Sequence, residues 1–286
     1  MGRSLAHSPT AAIRLELSGP RLTGALARLA AESEASGGIE QYVQALKMKG
    51  ALFRELLGQD GADAAALEPE ALRILVPFMP TVRRRIGPWL ARPAFDALRE
   101  EVVRLVRALR DNSRVDEQLC EFGGLFCKGE RPRWTRDFGA ELLHQLSPER
   151  FPLMTRWVWD AAANTGVLRE IWFGGQEGSE RIDVPDSYPV FLTLREELSG
   201  FLTGNGVFRD VIYYVDLLCA QVYAEYICAQ GGTYLRVDFS AEEDPSQYTR
   251  RLLGLDGIKG DAHARRPRSI EGAATEAASC ARRLPD

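Results

Sequence analysis

Apolar residues along this chain recur mostly at three and four positions, the spacing of one helix face, and Gly, Pro and Asn cut the pattern into separate helices. Leu22, Leu26 and Leu29 carry the first, which runs from Arg21 to the Gly37-Gly38 pair. A second is predicted over 39–57, with Tyr42, Val43, Leu46, Phe53, Leu56 and Leu57 apolar and Gly50 weakening its middle. Glu68-Pro69-Glu70 has the composition of a helix start, Pro in the first turn beside acids that suit the dipole, and Pro77 stops that helix. Phe95, Leu98, Val102, Leu105 and Leu109 then mark an amphipathic helix. Residues 120–136, glycine-rich and then basic, read as a loop, and 138–146 as a short helix.

The stretch from Phe151 to Trp172 holds three of the five tryptophans. After the turn at Ser147-Pro148 and Phe151-Pro152 it is predicted to be helical to about Ala163 and to end on Asn164-Thr165-Gly166, residues that tolerate a left-handed cap. In such a helix Leu153, Met154, Trp157, Val158 and Ala161 share one face. Trp159 is turned about 200° from Trp157, so either a second layer covers it or it anchors a partner. Arg156 and Asp160 stand four apart, the spacing of an intrahelical ion pair, and Arg169 precedes Glu170. Arg156, Trp159, Asp160 and Arg169 are therefore the candidate partner-binding residues.

Asp186-Ser187-Tyr188-Pro189 starts another helix, which Gly204-Asn205-Gly206 halts. The next, over about 207–230, is apolar around most of its circumference and is expected to be buried on nearly all sides. Thr233 to Phe239 alternates as a strand does, with shorter strand candidates at 13–17 and 181–184, and Asp244-Pro245 opens a last helix to about Leu253. The fold class that results is mainly α: a single multi-helix domain over 21–257, built around the long helix at 207–230, with one or two short strands. Residues 1–20 are expected to be a mobile lead-in and 258–286, which lack a period, a disordered tail.

Composition narrows the functional classes. With 286 residues and 45% hydrophobic content the chain can bury a full core, and a net charge of -4 gives no overall attraction to nucleic acid or anionic membranes. The richest apolar run, Val211 to Ala224, contains Asp216 and Gln221, so no membrane span is expected. The N-terminus lacks a secretory core, and Ala6 stands where myristoylation needs Ser or Thr. Five scattered cysteines suit a reducing compartment, and a cytoplasmic location is expected.

Candidate chemistry is sparse. Of three histidines only His144 falls in a segment expected to be ordered, and its reading is structural. Cys219 and Cys228 take nearly opposite helix faces, Cys120 and Cys127 lack a metal spacing, and the glycine pairs lack phosphate-loop motifs, so neither a metal nor a cofactor is expected. Asp216 is the candidate functional acid, against a reading as a core carboxylate satisfied by a tyrosine or arginine. Two arginine clusters, at 83–92 and 128–136, each surround a tryptophan, the composition of a nucleic-acid groove.

The phrases PLMTRWVWD, NTGVLREIW, LREELSGFL, NGVFRDVIYYVDLLCAQVYAEYIC and GGTYLRVDFSAEEDPSQYTRRLLGLDG, within residues 150–257, resemble an accessory protein encoded beside the heterodisulfide-reductase-like complex of sulfur-oxidising bacteria. The resemblance implies a cytoplasmic accessory role near an iron-sulfur flavoprotein system that oxidises sulfur carried on a lipoate-bearing protein. It carries over no catalytic residue. The chain lacks the cysteine clusters such cofactors need, so the expected role is a non-catalytic interaction or assembly protein whose partner belongs to that complex. An enzyme with an acid-based site near Asp216 or Arg156/Asp160 stands second, and a nucleic-acid-binding module using the arginine clusters third.

Overall fold

Most predicted helices form where their punctuation places them. The structure, a computed structural model, describes residues 14–107, 110–126, 132–173, 181–230 and 245–256. They contain α1 (Gly19–Glu34), α2 (Ile39–Leu57), α3 (Pro69–Leu75), α4 (Pro80–Arg83), α5 (Ala94–Val106), α6 (Val115–Phe122) and α7 (Trp134–Leu146). The second half adds α8 (Val167–Glu170), α9 (Tyr188–Gly204), α10 (Val211–Gln230) and α11 (Pro245–Leu252). The architecture is mainly α, as the apolar periodicity predicts. Prolines stand in the first turns of α1, α3 and α9, where the missing N–H is not needed.

Among the described residues there are no strands, only isolated antiparallel bridges at Leu17 with Trp172 and Asp160 with Thr165. The expected strand at 181–184 is irregular backbone. The expected strand at 233–239 and tail at 258–286 lie outside the described residues. The end of the expected mobile lead-in is docked: Leu15 is buried, Ser18 N–H donates to the Ile171 carbonyl at 2.7 Å and Phe173 N–H to that of Glu16 at 2.7 Å.

Two helices act as hubs. α10 packs against α1, α8, α9, α11 and α2, but it is buried only through its middle, Val215 to Ala224. It is long and apolar enough to cross a membrane by length and composition, with half of its apolar window buried. Gln221 inside that window is fully buried, accepting from Thr249 at 3.0 Å and donating to Glu32 at 3.0 Å. α7 is the more enclosed helix. It begins four residues earlier than expected, packs against α2, α4, α5 and α6, and buries 12 of its 13 residues.

Because α7 is enclosed on every side, its polar residues must find partners inside the protein. Glu141 meets Lys49 of α2 at 3.2 Å, with both side chains 1% exposed, and Lys49 also donates to the Leu253 carbonyl at 3.0 Å. Asp137 receives Arg156, and His144 meets Asp216. One continuous hydrophobic core, from Leu15 to Leu255, surrounds these pairs.

The stretch 151–163 is not helical. Thr155 O accepts from the N–H groups of both Val158 and Trp159, making a single turn, and the Asp160 N–H then donates to the Thr165 carbonyl at 2.9 Å. Asp160 Oδ1 accepts the Ala163 N–H at 3.0 Å, and Asp side chains used in this way compete with the helix ladder. Gly166 closes the loop at φ 123, where a side chain would meet the Val158 carbonyl at 2.8 Å. The left-handed signal in Asn164-Thr165-Gly166 is real, with Asn164 at φ 54, but it serves a compact loop instead of a helix end.

Candidate functional site

The loop at 155–165 crosses over the start of α7 and there meets α6 and the segment 185–187. A cleft of about 460 Å³ opens between them, within the range of ligand-binding clefts. Its charged wall consists of Arg133 and Arg136, Arg156 and Asp160, and Asp116 and Asp186. Folding thus brings Arg156 and Asp160 beside the end of the basic cluster at 128–136, two features far apart in the chain.

The arginines are held by carboxylates, and Arg156 not by the one the spacing predicts. Arg156 does not pair with Asp160, since without a helix the two side chains are not stacked. It donates to Asp137 Oδ2 from Nε at 3.1 Å and Nη2 at 2.8 Å, and its backbone N–H donates to Asp137 Oδ1 at 2.9 Å. Asp137 is 1% exposed, and burial raises its carboxyl above the ordinary carboxylate range although the Arg156 hydrogen bonds oppose this. Asp160 instead accepts from Arg133, whose side chain is 57% exposed. Arg136 donates to both the carboxylate and the carbonyl of Asp186. Asp116 accepts the Tyr188 N–H on both oxygens, at 2.8 and 3.0 Å; burial raises its pKa against the lowering effect of that bond and of Arg136.

Trp159 is not an exposed anchor. Without the helical turn that would rotate it away from Trp157, it is fully buried, and its Nε1–H donates to the Val184 carbonyl at 3.0 Å. Trp157 is 6% exposed, so both rings enter the core. Arg169 lies half-buried on α8 and does not line the cleft. Trp134 is buried against Phe126 and Phe138, and Trp89 meets Phe126 at 4.7 Å, so the tryptophans of both arginine clusters belong to one aromatic cluster. In the cluster at 83–92, Arg83 pairs with Asp256 at 2.8 Å and Arg92 with Glu68 at 2.7 Å. Lys128 and Arg131 lie outside the described residues.

Among the described residues, Asp216 has neither a tyrosine nor an arginine as its partner. His144 Nε2 stands 3.0 Å from Asp216 Oδ2, and His144 Nδ1 is 2.8 Å from the Phe151 carbonyl. A carbonyl can only accept, so Nδ1 carries a proton, and Nε2 faces the carboxylate. Burial opposes charging the imidazole, but the Asp216 charge and hydrogen bond, with the Phe151 carbonyl, outweigh it and raise the His144 pKa. Both ring nitrogens are thereby engaged. The adjoining cavity of about 20 Å³, next to Cys219, has room for about one water. Burial pushes the Cys219 thiol up, which keeps it a poor nucleophile.

Sequence reasoning picked out Asp216 and His144 separately but did not join them, and it missed Lys49, Asp137 and Glu141. On α7, Asp137, Glu141, His144 and Gln145 have the spacing of an exposed polar stripe, which gives no sign of burial. Among the described residues no group of three His, Cys, Asp or Glu side chains could hold a metal ion. Compared with protein-family models, with curated proteins and with solved structures, the chain matches none of them.

Proposed function

We propose that this chain works by binding, as an interaction or assembly protein, and that the cleft over the start of α7 receives its partner. The observation that supports this is the convergence of Arg133, Arg136 and Arg156 on one cleft of about 460 Å³, each oriented by a carboxylate of the chain itself. Guanidinium groups held in this way are ordered before binding, which lowers the entropic cost of recognition. The acid-based alternative at Asp216 is less well supported, because His144 has no free ring nitrogen and the neighbouring cavity is small. Nucleic-acid binding is less well supported too, since the Trp134 ring is packed into the core and cannot stack on a base.

The resemblance of residues 150–257 would place the partner among the subunits of a heterodisulfide-reductase-like complex in the cytoplasm. The test is capture of the partner from the native host by tagged protein, with Arg133→Ala as the comparison. Arg133 is more than half exposed, so the variant is expected to keep its fold and to lose the captured partner. Equal capture by both proteins removes the cleft from the binding surface.

A further inference from the structure

We propose that the group the cleft receives is an oxyanion, a carboxylate or phosphoryl group gripped between Arg133, Arg136 and Arg156. This rests on the binding role argued above and specifies its chemistry. Recognition must use the hydrogen-bonding capacity that folding leaves over, and in this cleft donors outnumber acceptors. Asp116, Asp160 and Asp186 offer about twelve lone-pair sites, of which hydrogen bonds from the chain occupy five, leaving about seven. Of the fifteen N–H groups on the three guanidiniums, only five are engaged by groups of the described residues.

Arrangement reinforces the count. Arg156 is fixed by Asp137 through Nε and Nη2, leaving Nη1 without a partner among the described residues, and its backbone is tied to the same carboxylate. Arg136 is fixed by Asp186 and lies over the Phe191 ring, 6.0 Å from its centroid. Two of the three guanidiniums are therefore rigid. Arg133, the most exposed, is held by Asp160 through one N–H among the described residues and keeps the others for a ligand. Planar forks of this kind fit carboxylate and phosphate geometry in bidentate fashion. Because the chain's own acids balance the arginines, long-range attraction is small, and selectivity comes from short-range geometry.

The experiment titrates the full chain with succinate and, separately, with inorganic phosphate at constant ionic strength, reading heat of binding and melting temperature. At least one anion is expected to bind saturably, and Arg133→Gln should weaken it about tenfold, the value of one charge-assisted hydrogen bond. Arg92→Gln is the control: that arginine is also exposed and paired with a glutamate, but outside the cleft. It should bind as the wild type does. Where the glutamine variant fails to fold, Arg133→Lys keeps the charge facing Asp160 while removing the fork, and should show the same loss.

Binding of succinate alone identifies a carboxylate, and of phosphate alone a phosphoryl group. No binding of either anion, or an equal loss in Arg92→Gln, overturns the proposal. Partner capture that depends on Arg133 when both anions fail would remove the oxyanion and leave the binding role of the cleft standing; loss of that dependence would remove the cleft from the binding surface.

Discussion

His144 shows how one side chain can hold a buried polar network in a defined protonation state. Its Nδ1–H is fixed on the Phe151 carbonyl and its Nε2 faces the Asp216 carboxylate. The folded pKa of His144 is raised above the ordinary value of about 6.5. Stability drawn from the protonated imidazole is therefore fully present below about pH 6.5 and is lost as pH rises through the folded pKa. The melting-temperature advantage of the wild type over His144→Gln should accordingly shrink toward alkaline pH. An advantage that grows with pH would show that the imidazole is neutral in the folded protein. With three histidines in the chain, the ring signals can be assigned by NMR and the same titration followed directly.

The segment after α11 is tightly constrained. Leu253 and Leu255 are buried, Arg83 pairs with Asp256 and Lys49 holds the Leu253 carbonyl. Gly254 between them has φ 70, and a side chain there would meet the Phe78 carbonyl at 2.2 Å, so both the backbone conformation and the close approach require glycine. Gly254→Ala should cost about 1–3 kcal/mol from backbone strain, with the displacement of Phe78 adding to it. Chemical denaturation measures this, and an unchanged midpoint would mean that the segment does not dock as described. The sequence marks Gly254 only as the onset of an aperiodic stretch, because a docking site made by Phe78 and Lys49 leaves no periodic trace. The same limit applies at 151–163: its apolar spacing suits a helix, but Asp160 and Gly166 make a loop whose bonds return to Trp157 and Val158.

Across the whole molecule, Lys49 connects α2 and α7 to the segment after α11, in contacts that span 92 and 204 residues. Lys49→Met should destabilise the protein by about 3–5 kcal/mol, since it leaves the buried Glu141 carboxylate with Gln145 as its remaining hydrogen-bond partner among the described residues. Adding Glu141→Leu should recover most of that loss, and denaturation of the two variants separates the burial cost from the pairing. A single variant as stable as the wild type would contradict a charged pair at this position. The helical architecture was legible from residue order because helices are built from local bonds, whose starts and stops leave local marks: α2 runs between Gly38 and Gly58, and Pro69, Pro189 and Pro245 stand in the first turns of α3, α9 and α11. The site was not legible in this way. Arg133, Arg136, Arg156 and Asp186 meet only when the loop at 155–165 lies across α7. The polar stripe of α7 faces Lys49, Arg156 and Asp216 instead of water because a helix displays the same periodicity whether its polar face is solvated or matched by distant charges.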